Sequence, residues 1–69
     1  MIEVFKTNVR RTYQARKIIG LLQENFPDSK INFDLDDCDK VLRIDSQRIV
    51  PSDIINALKR NGFICEELE

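Results

Sequence analysis

Residues 31–44 read INFDLDDCDKVLRI, two short apolar segments on either side of an acidic turn. A two-residue turn at Asp37-Cys38 sets two apolar pairs opposite each other on one face, as the period of two in a strand requires. These pairs are Phe33 with Leu42 and Ile31 with Ile44. The segment therefore predicts a β-hairpin with one core face and one wet face. Because the turn contains no glycine, a four-residue loop is the alternative.

A helical pattern precedes the hairpin. Residues 12–26 carry an apolar stripe at spacings of three and four, which predicts an amphipathic helix. Thr12 is the predicted N-cap, and Pro27 ends the helix because it disfavours helical backbone at the residue before it. Gly20 in the middle of this helix predicts close packing against the sheet.

A second helix, a first strand and a last strand complete the pattern. Residues 51–60 begin with Pro51 at the first helical position and end before Gly62, which tolerates a left-handed cap. Apolar strand patterns run from Ile2 to Val9 and from Phe63 to Leu68. The order β-α-β-β-α-β predicts one ferredoxin-like α+β domain over residues 1–69. We expect a four-stranded antiparallel sheet in order 4-1-3-2 with both helices on one face.

Composition excludes several classes of function. The 69 residues include 11 basic and 12 acidic side chains, so the net charge of −1 favours neither nucleic acid nor an anionic membrane surface. Apolar runs are too short to cross a bilayer, and the start of the chain lacks a signal-peptide pattern, so we expect a cytoplasmic protein. RNA readers of this fold need stacking aromatics on the two central strands, where only Phe5 is found.

The chain also lacks the usual groups of a catalytic site. It contains no histidine, the commonest general base, and no glycine-rich phosphate loop. Its two cysteines, Cys38 and Cys65, are too few for a disulfide scaffold and are interpreted as reduced thiols. We expect Cys38 to be accessible and Cys65 to be buried. The sequence therefore predicts a protein that is not an enzyme and holds no cofactor.

Several segments of the chain carry a family resemblance. They are residues 32–35 and 41–44, the proline-started helix at 51–58, and Asn61-Gly62-Phe63. In pattern the chain resembles the heavy-metal-associated (HMA-like) domains of copper chaperones and of the N-terminal regions of metal-pumping ATPases. The resemblance implies the ferredoxin-like fold over nearly the whole chain.

The metal loop of that family is replaced in this sequence. The family motif is Gly-Met-x-Cys-x-x-Cys, and alignment on the apolar helix positions puts Asn8 at the Gly and Val9 at the Met. Arg11 then stands at the first Cys and Gln14 at the second. Arginine has a fixed positive charge and no lone pair for a cation, whereas Cu(I) and Zn(II) need thiolate or imidazole donors. The sequence therefore predicts a degenerate metal site.

The predicted topology places the first loop, the hairpin turn and the Asn61-Gly62-Phe63 loop at one end of the molecule. We expect this end to dock a partner protein, with the chain itself a monomer or a weak homodimer. The candidate surface comprises Arg10, Arg11, Tyr13, Gln14, Asp36, Asp37 and Asp39. The alternative is a cation site with altered ligands, Asp36, Cys38 and Asp39. A small-ligand regulatory domain is a third interpretation.

Overall fold

The computed structural model describes residues 1–68, and its six elements follow the predicted order. They are β1 (Ile2–Thr7), α1 (Thr12–Asn25), β2 (Lys30–Asp34), β3 (Val41–Asp45), α2 (Pro51–Arg60) and β4 (Cys65–Glu67). The first and last strands of the chain are shorter than predicted, since β1 ends before Asn8 and β4 begins only at Cys65. None of the helices in this part of the chain is both long and apolar enough to cross a membrane.

The strands form one antiparallel sheet in the order β2-β3-β1-β4. Read from the β4 edge this is 4-1-3-2, the order expected from the sequence. The architecture is α+β and compatible with a ferredoxin-like fold. The hairpin register is also as predicted, with Phe33 opposite Leu42 and Ile31 opposite Ile44.

The predicted two-residue turn of the hairpin is wrong. The connection between β2 and β3 covers residues 35–40, and Lys40 at its end has a left-handed backbone with a φ of +47°. A tight hairpin turn needs positive φ at one or both central residues, and neither Asp37 nor Cys38 is a glycine. Leu35 packs instead against the core, and the longer loop gives the chain room to turn.

A single core lies between the sheet and the helices. Phe5 from β1 and Leu42 from β3 are fully buried beside Ile18 of α1 and Ile54 of α2. Because strand side chains alternate, these strand residues share one face, and both helices contribute to the same core. The other face of the sheet carries polar positions such as Asn32 and Arg43, which lie opposite each other.

Two details of α1 differ from the sequence expectation. The N-cap is Arg11, in extended backbone at φ −106°, and Thr12 is the first helical residue. Gly20 is exposed, and a Cβ built on it meets nothing within 4 Å, so close packing against the sheet is not the reason for this glycine. At the end of α2, by contrast, Gly62 has the predicted left-handed backbone, with φ +86°.

Candidate functional site

Thr7, the last residue of β1, ties two loops together at one end of the sheet. Its side chain is buried, and the hydroxyl donates to the carbonyl oxygen of Lys40 at 2.6 Å. The Thr7 hydroxyl oxygen also accepts a hydrogen bond from the Val9 N–H at 3.2 Å. The backbone N–H of Thr7 donates to the Asp39 carbonyl at 3.0 Å. The hairpin loop and the first loop are therefore fixed relative to each other by one residue.

Asn8 fixes the third segment at this end. Its side-chain oxygen accepts the Ile64 N–H at 2.8 Å, and its own N–H donates to the Ile64 carbonyl at 3.3 Å. The predicted meeting of the first loop, the hairpin loop and the segment before β4 is thus present. We call this end of the molecule, made of residues 8–14, 35–40 and 61–64, the loop end.

The first loop presents cationic and aromatic side chains to solvent. Val9 is fully buried and anchors the loop, whereas Arg10 and Arg11 are exposed. Tyr13 on the first turn of α1 is 70% exposed. Gln14 accepts a hydrogen bond from the Arg11 N–H at 3.2 Å and so helps to begin the helix.

Neither Arg10 nor Arg11 forms an ion pair within residues 1–68. The ion pairs there join the N-terminal amine to Asp45 and Lys6 to Asp39, each at 3.7 Å. In the structure, the cation that pairs with the acidic turn is Lys6, through Asp39. The two arginines are therefore free to contact another molecule.

The predicted surface residues are divided between two flanks of α1. On one flank, Tyr13, Gln14 and Lys17 line a shallow concavity of about 190 Å³ with Asn61 and Phe63. On the other flank, Asp36 lines a separate groove along the edge of the sheet. That groove also contains Thr12 and Arg16 of α1 and Asn32, Phe33, Asp34 and Leu35 of the hairpin. The predicted surface is thus split, with Tyr13 and Gln14 on one flank of α1 and Asp36 on the other.

The acidic turn brings Asp37, Cys38 and Asp39 together, with one ligand atom of each within 4.8 Å of the others. The alternative cation site predicted from the sequence uses Asp36, Cys38 and Asp39. In the structure Asp37, and not Asp36, lies close to Cys38 and Asp39. The loop's own bonds account for its geometry. Asp37 accepts the Asp39 N–H at 2.8 Å, and Lys6 lies against the Asp39 carboxylate.

The two thiols lie in contrasting surroundings. Cys38 is exposed and Cys65 is buried, as the sequence predicts. Burial removes water from the Cys65 thiolate and raises the pKa of that thiol from 9.0 to about 12. Because the thiolate is the reactive form, Cys65 cannot act as a nucleophile near neutral pH.

Sequence reasoning missed several residues that build this end. Thr7 and Asn8 make the bonds that hold the loops together, and Lys6 pairs with the acidic turn. Ile64, which is 69% exposed, was detectable, because Cys65 is predicted to be buried and alternation along the strand puts its neighbour Ile64 outward. Lys17 was detectable too, because it follows Tyr13 by one helical turn.

A scan against protein-family models found no match for this chain, and no curated protein matched it either. The resemblance to heavy-metal-associated domains therefore rests on the sequence segments quoted above.

Proposed function

We propose that this protein is a non-catalytic binding module, related to metal-carrier domains, that docks a partner protein through its loop end. The observation that supports the proposal most directly is the exposure of Tyr13, at 70%, on a surface that also carries Arg10 and Arg11 without ion pairs. Tyrosine and arginine are the residue types that most often dominate the binding energy of protein interfaces.

Charge specifies the chemistry of the partner. Arg10 and Arg11 break no internal ion pair when they bind, so an acidic segment can contact them without that cost. Tyr13 and Ile64 offer apolar area beside those charges. We therefore propose a partner protein that presents carboxylates next to an exposed apolar side chain.

The acidic turn contributes orientation. Asp36, Asp37 and Asp39 lie at the same end of the molecule, and an acidic segment placed over them meets like charge. Repulsion of this kind excludes wrong orientations and wrong partners more than it changes affinity. The partner segment is therefore expected to lie over α1 and the 61–64 segment.

Rigid loops favour binding because little order has to be gained on association. The Thr7 bonds hold the hairpin loop and the first loop, and the Asn8 bonds hold the segment at Ile64. Ordering a mobile side chain at an interface costs about 0.5–1.5 kcal/mol, and flexible loops add to that cost. A preformed loop end avoids much of this loss.

The test compares three forms of the protein as bait for native-cell extracts, with recovered proteins quantified by mass spectrometry. The first is wild type, and the second is Arg10→Glu with Arg11→Glu. The third, Arg43→Glu with Arg48→Glu, makes the same change in net charge at exposed positions away from the loop end. We expect a protein recovered by wild type and by the third form to be lost with the second. The purified partner should then bind wild type more slowly as salt is raised, because charge steers association.

Folding is checked before binding is compared. Exposed substitutions usually change the free energy of unfolding by less than about 0.5 kcal/mol, so the loop-end variant should melt close to wild type. Tyr13→Ala, which keeps the charge, should also weaken binding of the purified partner. The proposal is wrong if the Arg10→Glu, Arg11→Glu form keeps every wild-type partner while the Arg43→Glu, Arg48→Glu form loses a partner. In that case the docking site is the open face of the sheet.

The competing function is cation binding at Asp37, Cys38 and Asp39, favoured by the short distances among their ligand atoms. We expect the protein to purify without copper or zinc and to lose a Cu(I) competition against a chromophoric chelator. Arg11 and Gln14, at the positions of the family thiols, offer no soft donor. A one-to-one complex that survives the chelator in wild type, and is lost in Cys38→Ser, would establish the competing function instead.

A further inference from the structure

One edge of the sheet is an unpaired strand. β2 (Lys30–Asp34) bonds to β3 on one side, and no other strand within residues 1–68 covers its second side. Such an edge presents backbone N–H and C=O groups that another strand can pair with. Natural proteins often block an edge with proline, yet the KINFD sequence of β2 contains none.

The sequence of β2 is complementary to itself in the antiparallel direction. When two copies of KINFD run antiparallel about Asn32, Lys30 of one copy lies opposite Asp34 of the other, twice in the pair. Ile31 of one copy likewise lies opposite Phe33 of the other. A shift of two residues in one direction places Lys30 opposite Asn32, and in the other direction opposite Asp36, which lies outside β2. Within the five residues of β2, only the centred register pairs each Lys30 with an aspartate.

The two faces of β2 also match in this arrangement. Lys30, Asn32 and Asp34 are exposed, while Ile31 and Phe33 are half-buried and face the core side. A two-fold axis perpendicular to the sheet keeps each face of one copy continuous with the same face of the other. The charged pairs then meet on the open face, and the apolar pairs meet on the face that carries the helices.

A groove beside the strand supplies further contact area on the helix side. It runs between α1 and β2, with Ala15, Ile19 and Phe33 among its apolar lining residues. Arg16, Asp34 and Asp36 also line it, so the groove carries one positive and two negative charges. A second copy brings a groove of the same mixed charge.

We propose that two copies of this chain pair antiparallel through β2, giving an eight-stranded sheet centred on Asn32. The inference is independent of the proposed partner docking, because Tyr13 and Asn61 lie on the other flank of α1. The paired strands are only five residues long, so the dimer forms in a concentration-dependent manner. It presents two loop ends, and a partner with two acidic segments gains effective concentration from binding both.

Sedimentation velocity over a hundredfold concentration range tests the proposal. We expect wild type to shift from the 8.1 kDa mass of one chain toward twice that mass. Asp34→Lys places two lysines opposite each other at both ends of the pair and should weaken dimerisation roughly tenfold or more. Inside the monomer, Asp34 lies opposite the uncharged Val41, so this change breaks no internal ion pair. Glu24→Lys makes the same charge change on the exposed side of α1 and should dimerise like wild type.

A charge swap distinguishes β2 pairing from other contacts. Lys30→Asp should be monomeric for the same reason as Asp34→Lys, and an equimolar mixture of the two should give a heterodimer by native mass spectrometry. The chain carrying both changes should dimerise again. Lys30 lies opposite Asp45 in the monomer, so circular dichroism must first show that Lys30→Asp is folded; if it is not, the Asp34→Lys result alone decides the proposal.

Three outcomes would overturn the proposal. The first is a wild-type protein that stays at one-chain mass at the highest concentration. The second is a folded Asp34→Lys variant that dimerises as wild type does, which would place the contact elsewhere on the surface. The third is a pair of complementary variants that stay apart when they are mixed.

Discussion

Replacing Thr7 by valine removes the hydroxyl that joins two loops while preserving the shape of the side chain. The hydroxyl makes two hydrogen bonds, to the Lys40 carbonyl at 2.6 Å and from the Val9 N–H at 3.2 Å. Thr7 is 6% exposed, so water cannot easily replace either bond. Each intramolecular hydrogen bond contributes about 0.5–1.5 kcal/mol, and an unsatisfied buried group costs about 1–3 kcal/mol.

The expected loss in the free energy of unfolding for Thr7→Val is about 1–3 kcal/mol, after allowing for the extra buried methyl group. Thr7→Ser is the matched control, since it keeps the hydroxyl and loses one methyl group, which costs about 0.8 kcal/mol. Domains of this size have a total stability of roughly 3–10 kcal/mol, so both variants should remain mostly folded.

Urea unfolding measures the difference between the two variants, and amide hydrogen exchange locates it. We expect the Val9 amide to exchange at least about tenfold faster in Thr7→Val than in Thr7→Ser, since 1.4 kcal/mol corresponds to a factor of ten. Equal stability of the two variants, with unchanged exchange at Val9, would refute the assignment of Thr7 as the tie between the loops.

The remaining predictions concern glycines and cysteines. Gly20→Ala should stabilise the protein by up to about 1 kcal/mol in thermal unfolding, because Gly20 is helical and the added methyl group meets no neighbour. Gly62→Ala should destabilise the protein, because Gly62 has a φ of +86°. Cys38 should react quickly with a thiol reagent in the native state, and Cys65 only after unfolding; equal native rates would contradict the burial of Cys65. Stability should fall as pH rises above 9, because the unfolded chain loses the Cys65 proton near pH 9 while the folded chain keeps it to about pH 12. In Cys65→Ala the fall in stability between pH 8 and 10, measured by urea unfolding, should be smaller than in wild type, and an equal fall would exclude this linkage.

Local periodicity was sufficient to predict the elements and the hairpin register. The alternation of Ile31 and Phe33 against Leu42 and Ile44 leaves one register in which both apolar pairs lie directly opposite each other. The six-residue hairpin loop was not readable in the same way. Its left-handed residue is Lys40, a residue type without a strong preference for positive φ, so the sequence holds no local signal for this loop.

The candidate site was predictable in outline, because topology alone brings three loops to one end of the sheet. Its internal bonds were not. The partners of Thr7 and Asn8 are 33 and 56 residues away along the chain, and no pattern of neighbouring residues encodes such pairs. Asp36 likewise lines a groove that Tyr13 and Gln14 do not share, and no local pattern in the sequence encodes that division.

The central position of β1 determines how the chain assembles during synthesis. Phe5 lies opposite Leu42 on one side and Glu67 on the other, so both neighbours of the first strand are made after it. At about 5–20 residues per second, the first strand waits several seconds for its last neighbour. A nascent chain that stops at Arg60 still lacks the strand beside β1 and the Ile64 partner of Asn8. Three strands of the sheet can pair once Asp45 has left the ribosome, whereas the pairing of β1 with β4 and the Asn8–Ile64 bonds must wait for residues 64–67.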